Sequence, residues 1–561
     1  MRAMKHLWMA AVLMMVLPVS AIREQELKDP HPSDQSTWNS LSESIFTWGS
    51  ATERYSKSQP ASGVKKLSLY AWRGERVQAQ AIISTPKTIE KVSLRMTDFT
   101  SGKNTIHSEA VNKYYGGYVL VDKALKDSFL MADRLDDANQ VIKIDEKTTR
   151  PVWLDVCVPH DAKPGKYTAT LIATLDGKDY KLPLTLEVGK RELPAPKDWQ
   201  FHLDLWHNPY AVARYFDVPL WSKEHFDRMR PIMKQLAAAG QKVITCSIIQ
   251  HPWNCQTYDP FESMITKMKM IDGGWKYDYT VFDRWVEFMM GLGIDGQIDC
   301  YTLVPWHYRF DYFDQASNSV KYVHCTPGDA AYSELLLPFM TDFAKHLKEK
   351  GWFSRTCIAM DERPMEQQQA AYNLLHRADP NYKTAGAFNY FPKEVTNIHD
   401  ASVIYGYDLI DGKILENRRK AGQFVTFYTC CGPFRPNTFT FSPLGESAYI
   451  GWYSAAAGYD GYLRWAYNSW CKSPNQDSRF GSWPSGDCYL AYPEGESMRM
   501  KQLVRGIQDY EKIRILKSGL NDKQKKQLDD LLKSFITTKI EETTDVAKMV
   551  EDAEKLLRTM E

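Results

Sequence analysis

QFHLDLWHNP, residues 200–209, is the stretch that decides the fold. Gln200 to Trp206 reads as a strand, and the chain leaves it through Trp206-His207-Asn208-Pro209. A doubly wound sheet calls for a glycine-rich turn at this point, where backbone comes close to a ligand phosphate. No glycine is present here. The rival with the same alternation of strands and helices is a (β/α)8 barrel, and the sequence downstream supplies the right number of units.

Seven further strands are predicted: Lys242 to Ile249, Gly296 to Leu303, Thr356 to Glu362, Lys383 to Asn389, Ser402 to Tyr407, Gln423 to Thr429 and Gly461 to Asn468. Helical stretches lie between them. Phe226, Met229, Met233 and Leu236 form one apolar stripe within Glu224 to Ala239, and Leu336, Phe339, Met340 and Phe343 another within Tyr332 to Glu349. The barrel is assigned to residues 191–498, beginning at the Pro-containing linker Arg191 to Pro196.

Residues 22–190 read as an all-β domain. Val77, Ala79, Ala81 and Ile83 alternate with polar neighbours, as do Val152, Leu154, Val156 and Val158, the period of half-buried strands. A hairpin is predicted from Tyr167 to Val188 with Asp176-Gly177 at its turn, where both positions favour positive φ. Several such strands suggest a sandwich that supports the barrel. Residues 499–561 carry two apolar stripes, Leu528 to Phe535 and Val546 to Leu557, read as a helical hairpin docked on the barrel with a cap at Asn521 and Asp522.

Residues 1–21 have a basic start, an apolar run from Leu7 to Val19 and then Ser20-Ala21, the pattern of a secretory signal peptide. Export, and a periplasmic location, are the expectation. No later run approaches the length of a spanning helix, so membrane insertion is not expected. Without the leader the net charge is about −1, which gives no reason to expect nucleic acid as a partner. The ten cysteines contain no Cys-x-x-Cys, so their spacing gives no support to a metal site, and no cofactor is expected. They read as packing residues with at most an occasional bridge, and the adjacent Cys430 and Cys431 are poorly placed for an unstrained one to each other. Oligomeric state has no signature.

Active sites of barrels lie at the C-terminal strand ends. The fourth strand ends in Asp361-Glu362, after Cys357-Ile358-Ala359-Met360. Around the same rim fall Trp206, Gln250, His251, Trp253, Trp306, His307, Asn389, Tyr405, Tyr407, Asp408, Tyr428, Trp465, Tyr467, Asn468 and Trp470. Twelve of the 17 tryptophans lie between Trp199 and Trp483, and aromatic faces are where sugar rings dock. His307, Asn389, Tyr407, Trp465, Tyr467 and Trp470 are the candidate substrate contacts. A solvated turn, with Arg363 neutralising the carboxylates, is the plainer reading of the same residues.

Two carboxylates suit glycoside hydrolysis, but attack from both faces of the sugar wants them on opposite sides of the bond. Adjacent residues approach from one side. A 2-acetamido sugar that attacks its own anomeric carbon removes the conflict: it needs one acid for the leaving group and one carboxylate for the acetamido nitrogen. That assignment requires strand alternation to break down at Glu362, with Asp361 favouring a protonated Glu362.

Trp153-Leu154-Asp155-Val156, Pro164-Gly165-Lys166-Tyr167, Asp361-Glu362, Gly461-Tyr462-Leu463-Arg464-Trp465-Ala466-Tyr467-Asn468 and Arg505-Gly506-Ile507-Gln508-Asp509-Tyr510-Glu511 occur in that order. With them the chain resembles glycoside hydrolase family 123, the β-N-acetylgalactosaminidases. The resemblance implies a retaining, substrate-assisted exo-glycosidase acting on GalNAc-terminated glycans or glycosphingolipid headgroups, with Glu362 as general acid and base and Asp361 stabilising the oxazolinium-like intermediate. Asp509 and Glu511 sit on a helix with Leu503, Ile507 and Ile513 and are expected to be structural. The alternatives are a glycan-binding protein with a degenerate barrel, and a glycosidase for another sugar that uses a direct nucleophile.

Overall fold

The computed structural model describes residues 26–561 other than 33–34, 124–125, 393–397 and 408. The predicted leader and Asp408 lie outside the described residues. All eight barrel strands form: His202–Leu205, Val243–Ser247, Gln297–Tyr301, Thr356–Met360, Lys383–Phe388, Ile398–Ile404, Phe424–Tyr428 and Gly461–Arg464. They pair in parallel in the order 1-8-7-6-5-4-3-2. The ring nearly closes between the first two, where Leu203 bridges Gln241 and the Lys242 N–H donates to Leu203 O at 3.0 Å. Several strands are shorter than predicted, and the fourth stops at Met360, before the carboxylates.

The N-terminal domain packs a sheet of five of its own strands, extended by Glu496–Ser497 from after the barrel, against a second, seven-stranded one, with Phe46, Ile83, Leu154, Leu171 and Leu184 in the core between them. The predicted hairpin is present as Gly165–Leu175 and Lys178–Glu192, turning through Asp176 at φ 45° and Gly177 at φ 86°. The strands expected to be half-buried are buried on both faces. Val152, Leu154 and Val156 point into the sandwich, while Trp153 packs from the other side with Tyr118 of its own sheet and with Leu444 and Met498 of the barrel side. Lys501 reaches back to Asp155 at 2.7 Å, a buried ion pair across the same seam. The sandwich is therefore part of the barrel's outer wall.

The tail holds three helices, Met498–Lys517 and then the predicted pair, Asp522–Lys533 and Val546–Arg558. The first, the helix that carries Leu503, Ile507 and Ile513, has most of its residues buried, polar ones included, and so shows no single apolar stripe. Asn521 is the cap of the second, in a capping box with Gln524. Every polar residue of the Arg505–Glu511 run has a structural task. Arg505 pairs with Glu554 at 2.6 Å, Gln508 exchanges hydrogen bonds with the Arg76 backbone, and Asp509 accepts from Trp452 Nε1 at 3.0 Å. Glu511 Oε1 accepts the N–H groups of Gln200 and Phe201, at 2.6 and 2.8 Å, and so anchors the entry to the first barrel strand.

Met498–Lys517 meets Leu444–Ala457 at two glycines. A Cβ on Gly506 would lie 2.1 Å from Ala448 O, and one on Gly451 would lie 1.9 Å from Gly506 O. Backbone oxygens cannot yield locally, so the helices would have to separate. Gly506→Ala is expected to destabilise the protein by about 3 kcal/mol or more, read as a lower denaturant midpoint at unchanged slope. An unchanged midpoint would mean that the helix contact is looser than described.

Candidate active site

The carboxylate puzzle is resolved where the fourth strand ends. Asp361 is already outside the strand, and the Arg363 N–H donates to Asp361 O at 2.6 Å, bending the chain sharply across Glu362. Alternation stops there, and Pro364 then leads into the helix Met365–Ala378. The two side chains are thus free of the rule that sends neighbours on a strand to opposite faces.

They engage different sides of the barrel mouth. Asp361 Oδ2 accepts from Trp306 Nε1 at 2.7 Å, in the loop after the third strand. Glu362 Oε1 accepts the hydroxyl of Tyr428, the last residue of the seventh strand. Glu362 therefore reaches over the mouth and not into the helix layer. Arg363 stacks its guanidinium on Trp306 and Tyr308, 4.7 and 4.9 Å from the ring centroids, and the Tyr308 hydroxyl donates to Gln367 at 2.7 Å. The neutralising salt bridge of the plainer reading is replaced by a cation–π clamp that fixes the indole holding Asp361. Among the described ion pairs Arg363 has none.

Burial pushes the Glu362 carboxyl above the usual range; the Tyr428 hydroxyl pulls it down, and the negative charge of Asp361 pushes it up again. Asp361 is also raised by burial, against the opposing pull of Trp306, the Glu362 N–H and the Arg363 charge. Two raised carboxyls side by side resist losing both protons, so one proton is retained by the pair at pH values where an isolated carboxyl would lose it. A protonated carboxyl beside an ionised one is what acid catalysis at a glycosidic oxygen requires.

The rim aromatics separate into two groups. Trp465 is half-buried, its Nε1 donating to Asp487 at 3.1 Å, and it lines a narrow cleft with Trp206, His251, Trp253 and Gln256. Trp206, Trp253 and Tyr301 pack together with centroids 4.6 to 5.0 Å apart. His307 is exposed, next to the Asp361 partner Trp306, and Asn389 and Tyr407 are exposed beyond the fifth and sixth strands, Tyr407 edge-on to Tyr390 at 4.9 Å. Tyr467 and Trp470, expected as substrate contacts, lie instead in the core. Both are 0% exposed, tied to Ile232 O and Ala491 O, because the strand ends at Arg464 and the chain dives back into the core. Trp285 and Trp452 are likewise core residues, so tryptophan abundance is only partly a feature of the mouth.

Beneath the mouth lies a polar network that the sequence reading passed over. His202 contacts Asp400 at 2.7 Å, and Gln297 donates to Asp299 and Asp400 at 2.8 and 3.0 Å. Burial and the neighbouring Asp400 push Asp204 up to about 7. The signal was available: His202-x-Asp204 and Gln297-x-Asp299 put polar residues at the inward positions of apolar strands. A cavity of about 600 Å³ lies elsewhere, between the sandwich and the C-terminal helices. Its charged walls are largely paired among themselves, as in Arg505–Glu554 and Lys512–Glu75, and neither carboxylate of the mouth reaches it.

Residues 206–516 match the family model for the catalytic domain of glycoside hydrolase 123, and residues 48–174 match the model for the N-terminal domain of the same family. In structure the chain is similar to a family 123 glycoside hydrolase from Clostridium perfringens, described for glycolipid glycan hydrolysis. The TM-score is 0.85 at 25% identity, covering 92% of this chain and 98% of the other. A GH10 xylanase with a bacterial Ig-like domain, from termite gut, aligns with a TM-score of 0.32 at 12% identity over 80% of this chain and all of its own, too distant to bear on the site. No curated protein sequence matches the chain.

Proposed function

The chain belongs to glycoside hydrolase family 123, and from that premise we propose that it is an exo-acting, retaining β-N-acetylgalactosaminidase that removes terminal GalNAc from glycans or glycosphingolipid headgroups. The observation that carries this reading is the divergence of two adjacent carboxyls at one mouth, Asp361 towards Trp306 and Glu362 towards Tyr428. In the proposed reaction Glu362 gives its proton to the glycosidic oxygen while Asp361 accepts from the acetamido N–H. The acetamido oxygen then attacks the anomeric carbon from within the sugar. Glu362, now ionised, takes a proton from the water that opens the oxazoline, and β-configured GalNAc is released.

His307, Asn389, Tyr407 and Trp465 remain the proposed contacts for the sugar's hydroxyls and apolar face. Trp465 is the best supported, since its indole is held at the cleft wall by Asp487, itself paired with the buried Arg464 at 2.7 Å. The same proposal places the enzyme outside the inner membrane, on the strength of the leader at residues 1–21.

Release of the aryl group from an aryl β-GalNAc, compared with the β-GlcNAc and β-Gal analogues, tests the specificity. Preference for β-GalNAc is expected, with the first-formed sugar retaining its anomeric configuration by NMR. Equal hydrolysis of the β-Gal analogue, or inversion, would remove the acetamido group from the mechanism.

Tyr428→Phe removes the hydroxyl that donates to Glu362. The hydroxyl favours the ionised form of Glu362, so its loss raises the Glu362 pKa further. The alkaline limb of kcat/KM is expected to move to higher pH while the plateau falls, because the carboxyl is less well oriented. A limb that moves down would contradict the hydrogen bond described.

A further inference from the structure

The seventh barrel strand delivers Tyr428 to Glu362 and is followed at once by the adjacent cysteines 430 and 431. Their Sγ atoms are 3.9 Å apart, Cys430 half-buried and Cys431 exposed. The surrounding backbone holds them in this bend. Cys430 N–H donates to Gly432 O at 3.1 Å, and the buried Asn437 donates to Cys430 O and Pro433 O at 2.9 and 2.7 Å. Asn437 is in turn gripped by Arg464 at 2.9 Å. Closing a bridge needs the sulfurs to approach by about 2 Å.

We propose that Cys430 and Cys431 are a thiol–disulfide modification site at the rim of the carboxylate pair, closed by a disulfide oxidant and, in closing, detuning Glu362 through Tyr428. The exposed Cys431 thiolate attacks one sulfur of the oxidant's disulfide, forming a mixed disulfide and releasing one thiol. The Cys430 thiolate then attacks Cys431 Sγ, releasing the second thiol and leaving an Sγ–Sγ bond in an eight-membered ring. Two electrons and two protons pass from the protein to the oxidant, and no other reactant is needed. Cys431 suits the first step because the hydrogen bond from Cys430 pulls its thiol below the usual range, while the same bond and burial push Cys430 up. Ring strain makes such a bridge easy to reduce, which fits a reversible site better than a permanent staple. Cys246 and Cys300, on neighbouring barrel strands, are 0% exposed and beyond the reach of an oxidant.

The test is incubation of the full chain with oxidised glutathione, followed by alkylation, peptide mass mapping and assay on an aryl β-GalNAc. The expected result is a peptide containing both cysteines that is two hydrogens lighter, resists alkylation, carries no glutathione and reverts with dithiothreitol. The closed protein is expected to lose about tenfold in kcat/KM, since a shift of order 1 Å at Tyr428 misplaces the acid. Cys431→Ser is expected to keep the same activity with and without oxidant. Both thiols still alkylating, a glutathione adduct that persists on Cys431, or a closed protein that hydrolyses as before would each overturn the proposal. The activity arm rests on the glycosidase reading; the mass arm does not, so failure of one is distinguishable from failure of the other.

Discussion

Glu362→Gln is expected to lower kcat/KM on a substrate with a poor leaving group by about 10²–10⁴-fold, the span that general acid catalysis supplies. The amide keeps the shape of the side chain and can still accept from Tyr428, so the loss reports the missing proton rather than a collapsed site. A discriminating control is the leaving group. An activated aryl leaving group departs with little proton assistance, so the first step in Glu362→Gln is expected to recover most on such a substrate, leaving ring opening as the slow step. Uniform loss across leaving groups would make Glu362 a structural residue.

Asp361→Asn is expected to cost about 10²–10³-fold in kcat, the order found when one preorganised electrostatic contact to a transition state is removed. The charge that develops on the acetamido nitrogen then faces a neutral amide. A second effect runs opposite to that of Tyr428→Phe. The Asp361 charge raises the Glu362 pKa, so its removal lowers that pKa and the alkaline limb of kcat/KM moves to lower pH. The two variants together bracket Glu362 from both sides. Shifts in the same direction would contradict the assignment of Glu362 as the titrating acid.

The barrel was legible because parallel strands and amphipathic helices impose periods that survive without any partner in view. The Trp206 to Pro209 turn sufficed to set aside the nucleotide-binding alternative. Strand ends were less legible. The stretch from Trp465 to Asn468 has strand-like composition, yet Tyr467 and Trp470 turn inward, because Arg464 ends the strand in order to pair with Asp487. The helix Met498–Lys517 lacks a stripe since it is covered on nearly every side, so nothing in its pattern showed which neighbour it served. The Asp361-Glu362 pair was found from its place after an apolar strand. Its partners Trp306 and Tyr428 lay in the right ring of rim residues, but only the bend at Glu362 and the reach across the mouth show why these two were singled out.

The central claim is that the sugar supplies its own nucleophile, and the measurement closest to that step varies the nucleophile alone. Aryl β-GalNAc substrates bearing acetyl, monofluoroacetyl, difluoroacetyl and trifluoroacetyl groups on the 2-amino nitrogen differ little in size but progressively withdraw electrons from the attacking oxygen. With the acetamido oxygen as nucleophile, kcat/KM is expected to fall steeply at each fluorine. A rate that stays level across the series would show that the acetamido oxygen does not attack, and would contradict the account.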